Sequence, residues 1–113
     1  MKARLPDEYR GGQAGMMARL QKMQEEMARV QEEVEAASFS AAVGGGAVTA
    51  ECNGKRELLG IEISPEVVDP EDVEMLQDLV IAAVNEAITK AGDAMEQAME
   101  AAKGGLNLPG MGL

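Results

Sequence analysis

Met16, Leu20, Met23, Met27, Val30 and Val34 follow one another at spacings of 4, 3, 4, 3 and 4 residues, the 3.5-residue period of a helical seam that must pack against another helix. The residues between them are Gln, Glu, Arg, Lys and Ala, all good helix formers, and nothing interrupts the pattern before Ser38. This predicts a helix over residues 13–37, about 37 Å long at 1.5 Å per residue. A chain of 113 residues with one Tyr, one Phe, no Trp and nine Met has only small or pliable side chains with which to cover so long a seam. A second copy of the chain is the natural source of cover, and a symmetric homodimer is expected. Met-rich helices also make adaptable grooves for partner proteins, but the regular register favours packing against the dimer mate.

Beyond Ser38 the period changes from 3.5 to 2. Phe39, Ala41 and Val43 alternate with Ser38, Ser40 and Ala42, then Gly44-Gly45 interrupts, and Val48, Ala50 and Cys52 alternate with Thr49 and Glu51. Asn53-Gly54 suits a two-residue type I′ hairpin turn, and Leu59, Ile61 and Ile63 supply a third strand. With two-residue turns at 53–54 and 44–45, Cys52 falls opposite Lys55, Val48 opposite Leu59, Ala41 opposite Val48 and Phe39 opposite Ala50. All the alternating apolar residues then share one face.

After Ser64-Pro65, the run Asp69-Pro70-Glu71-Asp72 reads as a helix start, with Asp69 as N-cap, Pro70 at the first helical position and two carboxylates at the positive end. Val73, Leu76, Leu79, Val80, Ala83, Val84, Ala87 and Ile88 form a broad apolar stripe that thins after Ala91, although Ala94, Met95, Ala98, Met99 and Ala102 continue it. The expected fold is α+β: a long helix, a three-stranded antiparallel meander and a second long helix, with both helices able to cover one sheet face and with sheet and helices shared in a two-fold dimer. Residues 13–103 form its single domain. Residues 1–12, which mix Pro, Gly and charge without periodicity, read as a flexible arm, and residues 104–113, rich in Gly, Leu and Pro, as a flexible tail.

The chain has no His, which removes the commonest general base and the His-dependent nucleophile pairs and zinc sites. No phosphate-cradling Gly loop precedes a helix. Cys52 falls on the apolar face as a small core residue. Asp69, Glu71, Asp72 and Glu74 lack the spacing of a calcium loop and read as helix-start acids. No enzyme activity, cofactor or metal is expected. The longest apolar run, residues 79–84, is far short of a membrane span. With a single Cys and no apolar leader, the chain reads as cytoplasmic.

The net charge of -10 is unevenly distributed. Residues 1–30 carry Lys2, Arg4, Arg10, Arg19, Lys22 and Arg29 against four acids, a net of +2, which leaves -12 for the rest. A cationic end could meet an anionic partner while the acidic body stays clear of it. Arg19 and Lys22 are helix neighbours, with Arg29 further along. Taken alone, these residues fit equally a phosphate-binding side and a solvated helix with pairs such as Lys22–Glu26, Arg29–Glu25 and Arg29–Glu33.

Several segments together resemble the YbaB/EbfC nucleoid-associated proteins: Leu20-Gln-Lys-Met-Gln-Glu-Glu-Met27, Gly46-Ala-Val-Thr-Ala-Glu-Cys-Asn-Gly54, Ile61-Glu-Ile-Ser-Pro65, Leu76-Gln-Asp-Leu-Val-Ile-Ala-Ala-Val-Asn-Glu-Ala87 and the Gly/Leu/Pro/Met tail. The resemblance runs in order from about Met16 to the end. It implies a bacterial, nucleoid-associated homodimer shaped like tweezers that binds double-stranded DNA toward the projecting helices and alters DNA conformation and gene expression. By position it implies Arg19, Lys22 and Arg29 on the first helix and Lys90 on the second as DNA contacts, with Lys55 and Arg56 beside the hairpin as further candidates. Given the net charge, such binding should be weak and strongly salt-sensitive unless the cations converge. The alternative is an acidic dimeric adaptor that binds proteins through its Met-rich helix.

Overall fold

A computed structural model describes the backbone of residues 7–104 and the side chains of residues 14–104. The order of elements is α1 (Asp7–Ala36), β1 (Ser38–Val43), β2 (Val48–Asn53), β3 (Leu58–Ile63), a single 3-10 turn (Pro65–Val67) and α2 (Val73–Lys103). The strands form one antiparallel sheet in the order β1-β2-β3. The expected α+β sequence of elements is therefore present. Helix α1 starts upstream of Gln13, because each residue added to an existing helix gains a hydrogen bond at little cost. Residues 105–113 of the expected tail and residues 1–6 of the expected arm lie outside the described part.

Both hairpins differ from the expected register. Val43 pairs with Val48 and Ala41 with Ala50, because Gly44, Gly45 and Gly46 all adopt positive φ (62°, 69° and 93°) and spread the turn over a longer loop. On the other side Val48 faces Ile63 and Ala50 faces Ile61, with a bulge between Glu51 and Cys52. Each slip covers an even number of residues away from the bulge, so the apolar face survives.

The second hairpin is closed by Asn53. Its backbone N–H donates to the Glu57 carbonyl (3.0 Å), and its own carbonyl accepts from the Arg56 N–H (3.0 Å). Its side-chain oxygen accepts from the N–H groups of Lys55 (2.9 Å) and Glu57 (3.0 Å). The left-handed residue is Arg56 (φ 65°), not Gly54. Gly54 serves a different need, close approach: a Cβ there would stand 2.0 Å from the Val34 carbonyl oxygen and 2.8 Å from Glu35 Cα. The hairpin tip is thus docked on the end of α1. Gly54→Ala, which forces two backbones apart, is expected to cost about 3 kcal/mol in denaturant unfolding.

The start of α2 is also displaced from the expected position. Asp69 heads a turn, its carboxylate accepting from Glu71 N–H (2.9 Å) and its carbonyl from Asp72 N–H (2.9 Å), the preferred chemistry of Asp followed by Pro. Capping passes to Asp72, which accepts from Met75 N–H (3.2 Å).

The core is made almost entirely of small residues. Ala83, Ala87 and Ala91, one turn apart on α2, are buried against Ala41, Val48, Ala50 and Cys52, and the lack of bulk lets helix and sheet approach closely. The Cys52 thiol donates to the Ala87 carbonyl (3.3 Å), and burial, helped by the Glu51 charge, raises its pKa. It is a core residue.

Only α2 lies on the sheet, over β1 and β2, whereas α1 packs chiefly on α2. The expectation that both helices cover one sheet face is therefore corrected: α1 leaves the sheet edge and follows the second half of α2. Gly92 of α2 lies beside the Arg56 guanidinium (3.5 Å from a built Cβ), and the hairpin that carries Arg56 rests on Val34. From that shared level the helices run back antiparallel, so that Lys103 comes level with about Met23 at equal rise per residue. Met23, Met27, Val30 and Val34 are accordingly half-buried, while Met16 and Leu20, beyond the end of α2, are exposed. Since a Cβ at Gly92 makes only ordinary contact, Gly92→Ala is expected to stabilise the fold by about 0.7 kcal/mol in thermal unfolding, through helix propensity.

Candidate nucleic-acid interface

The six candidate cations do not converge on one patch. Arg29 lies on the exposed side of α1 between two carboxylates, bonded to Glu26 and, at 2.6 Å, to Glu33. Its hydrogen bond to Glu26 raises the guanidinium pKa and lowers that of the Glu26 carboxyl. Of the three pairs expected from sequence, Arg29–Glu33 is present and Arg29 takes Glu26 in place of Glu25. Lys22–Glu26 is not bonded. Lys90 reaches across to β1, where its ammonium donates to the Ser40 carbonyl (2.9 Å). Lys55 borders a shallow hollow with Glu32, Glu35 and Asn53, and Arg56 leans on Gly92.

Arg19 and Lys22 are different. Both are exposed, and neither has an ion pair with any described residue. Residues 9–24, between Asp7-Glu8 and Glu25-Glu26, contain Arg10, Arg19 and Lys22 and no Asp or Glu, so this stretch of α1 is locally cationic, while the part that packs on α2 is studded with carboxylates. Lys103, exposed in the last turn of α2, joins this end of the molecule through the antiparallel packing. Sequence reasoning missed it because a cation near a helix C-terminus reads as a dipole partner. The second half of α2 turns Asp93, Glu96 and Glu100 outward. The arm is therefore cationic at its outer part and acidic along its flank.

Family comparison decides what this arm belongs to. The model of the YbaB/EbfC DNA-binding family matches residues 10–106. The chain belongs to that family. YbaB/EbfC is a DNA-binding family and not a family of enzymes. Among its relatives, a nucleoid-associated protein of Clostridium novyi is 50% identical over 111 residues, covering 90% of this chain and 97% of that protein. A nucleoid-associated protein of Alkaliphilus metalliredigens is 51% identical over 96 residues, covering 85% and 84%. The fold is shared with the crystal structure of an uncharacterized protein from Helicobacter pylori, at a TM-score of 0.57 and 24% identity, covering 69% of this chain and 90% of the other. Among the described residues no helix is long and apolar enough to cross a membrane, and no cluster of His, Cys, Asp or Glu is arranged to hold a metal ion.

The other feature of the surface is apolar. Leu79 packs at Gly44 and Lys90 at Ser40, which sets one flank of α2 over β1. The opposite flank, with Val80 and Ile81, faces the β3 side. There Leu59, Ile61 and Ile63 remain exposed on the inner face of the sheet, and Ile81 is 57% exposed. The outer sheet face, with Ser38, Ser40, Thr49, Glu51 and Glu62, is polar. An open apolar trough thus runs between β3 and α2, beside a strand edge with no partner among the described residues.

Proposed function

We propose that this YbaB/EbfC protein is a homodimer that grips duplex DNA through backbone phosphates, changes the conformation of the DNA it holds and thereby affects gene expression. Its nucleoid-associated relatives support the same location for this chain. The observation that carries DNA contact is the stretch 9–24 of α1, which has no Asp or Glu and in which Arg19 and Lys22 stand exposed without an ion pair among the described residues. Lys103 adds to this site, Lys55, Arg56 and Lys90 are flanking contacts, and Arg29 contributes least because Glu26 and Glu33 already hold it.

Dimerisation is supported by the trough between β3 and α2, whose apolar side chains a second copy would cover. The elongated outline supports it too: the radius of gyration is 23.3 Å, against about 13 Å for a compact domain of this size. Two copies joined at the sheets leave two arms projecting, each with a cationic outer part. Contacts to phosphate position a protein without reading sequence. Unrelated duplexes of equal length should therefore be retarded alike at low salt, by a species of twice the chain mass in sedimentation. A monomer mass, or no retardation at any salt concentration, would sink this reading.

A further inference from the structure

The cationic stretch of α1 also carries apolar side chains that nothing in the fold explains. Met16, Met17 and Leu20 are 62%, 69% and 43% exposed. They form one cluster, Leu20 lying one turn from both methionines, and they stand beyond the reach of α2. The Arg19 guanidinium runs back along the helix to within 4.0 Å of a Cβ built on Gly15, so a positive charge lies alongside Met16. Between Glu8 and Glu25 there is no Asp or Glu. An apolar cluster flanked by cations and free of carboxylates complements a partner that has apolar faces edged by negative charge. A stack of base pairs between phosphate strands is such a partner, and unbranched, pliable Met is suited to entering it.

We propose that Met16, Met17 and Leu20 act as a wedge that enters between base pairs and unstacks them while Arg19 and Lys22 hold the adjoining phosphates. This rests on the phosphate-gripping reading above and gives it a means of changing DNA conformation. Flexible pyrimidine–purine steps open most readily, so the wedge favours them.

The test uses the full-length protein and a short duplex with 2-aminopurine, whose fluorescence rises on unstacking, placed after a thymine. Wild type should raise the fluorescence several-fold on binding. Met16→Gln/Met17→Gln/Leu20→Gln, which keeps chain length and helix propensity, should abolish the rise while affinity stays within about tenfold, since phosphate contacts supply most of it. Met16→Leu/Met17→Leu, still apolar, should keep the rise. Wild type that binds without a rise, or a Gln variant that unstacks as wild type does, overturns the wedge and leaves phosphate gripping intact. A Gln variant that loses its dimeric mass assigns the cluster to a contact between copies and also overturns it. Absence of wild-type binding at every salt concentration defeats the phosphate reading, and the wedge with it.

Discussion

Ile61→Asp is expected to turn the proposed dimer into a folded monomer. Ile61 faces Ala50 across the sheet, on the inner face, but α2 does not reach it and it stays 37% exposed. A carboxylate there keeps its water in the single chain, so the fold tolerates it. In the proposed dimer it is driven into an apolar contact, at a cost of about 3 kcal/mol or more per copy. A two-fold axis counts the change twice, which weakens association by about 6 kcal/mol, on the order of 10⁴ in dissociation constant. Sedimentation should find the single-chain mass with unchanged helicity. Ala42→Asp, on the polar outer face of the same sheet, should leave the dimer intact. Unchanged mass in the Ile61 variant would move the subunit contact elsewhere.

Arg19→Glu/Lys22→Glu is expected to lower affinity for duplex DNA by at least about 10³ at low salt. Hydrogen bonds to charged groups contribute about 1.5 kcal/mol or more each, a dimer loses four of them, and the new carboxylates repel the backbone. Arg29→Ala should change affinity less than about threefold, because a guanidinium already paired with two carboxylates has little charge left to offer a phosphate. Retardation assays on the two variants side by side check both statements. Equal losses would mean that the ion pairs of Arg29 open on DNA.

Much of this could be read from the order of residues, but unevenly. The alternation of Phe39 to Ile63 defined one apolar face, and even slips in both registers left that face unchanged. Alternation says which side is apolar and not what covers it, so the bare inner face of β3 emerged only with the placement of α2. The seam of α1 was legible as a period, yet its first members, Met16 and Leu20, lie past the end of α2, a fact of relative length that periodicity does not contain. Asn53-Gly54 misled because glycine serves two needs: a left-handed turn and a close approach both call for it, and here the approach to Val34 decides. Asp69 and Asp72 compete for one role, and Pro70 sets the turn that gives the cap to the second. At the candidate DNA-contacting arm, sequence supplied the cations and left open which were neutralised. Arg29 and Arg19 have the same chemistry and differ only in their carboxylate neighbours, Glu26 and Glu33 beside one and none beside the other.

The central claim is that the outer part of α1 touches phosphate, and the most direct measurement is the salt dependence of duplex binding for wild type and Arg19→Ala. Each phosphate contact contributes about 0.9 to the slope of log affinity against log salt concentration. A dimer that loses one contact per chain should therefore bind with a slope shallower by about 1.8. A slope equal to that of wild type, whatever the change in affinity, would contradict the account, because Arg19 would then displace no counterions from the DNA.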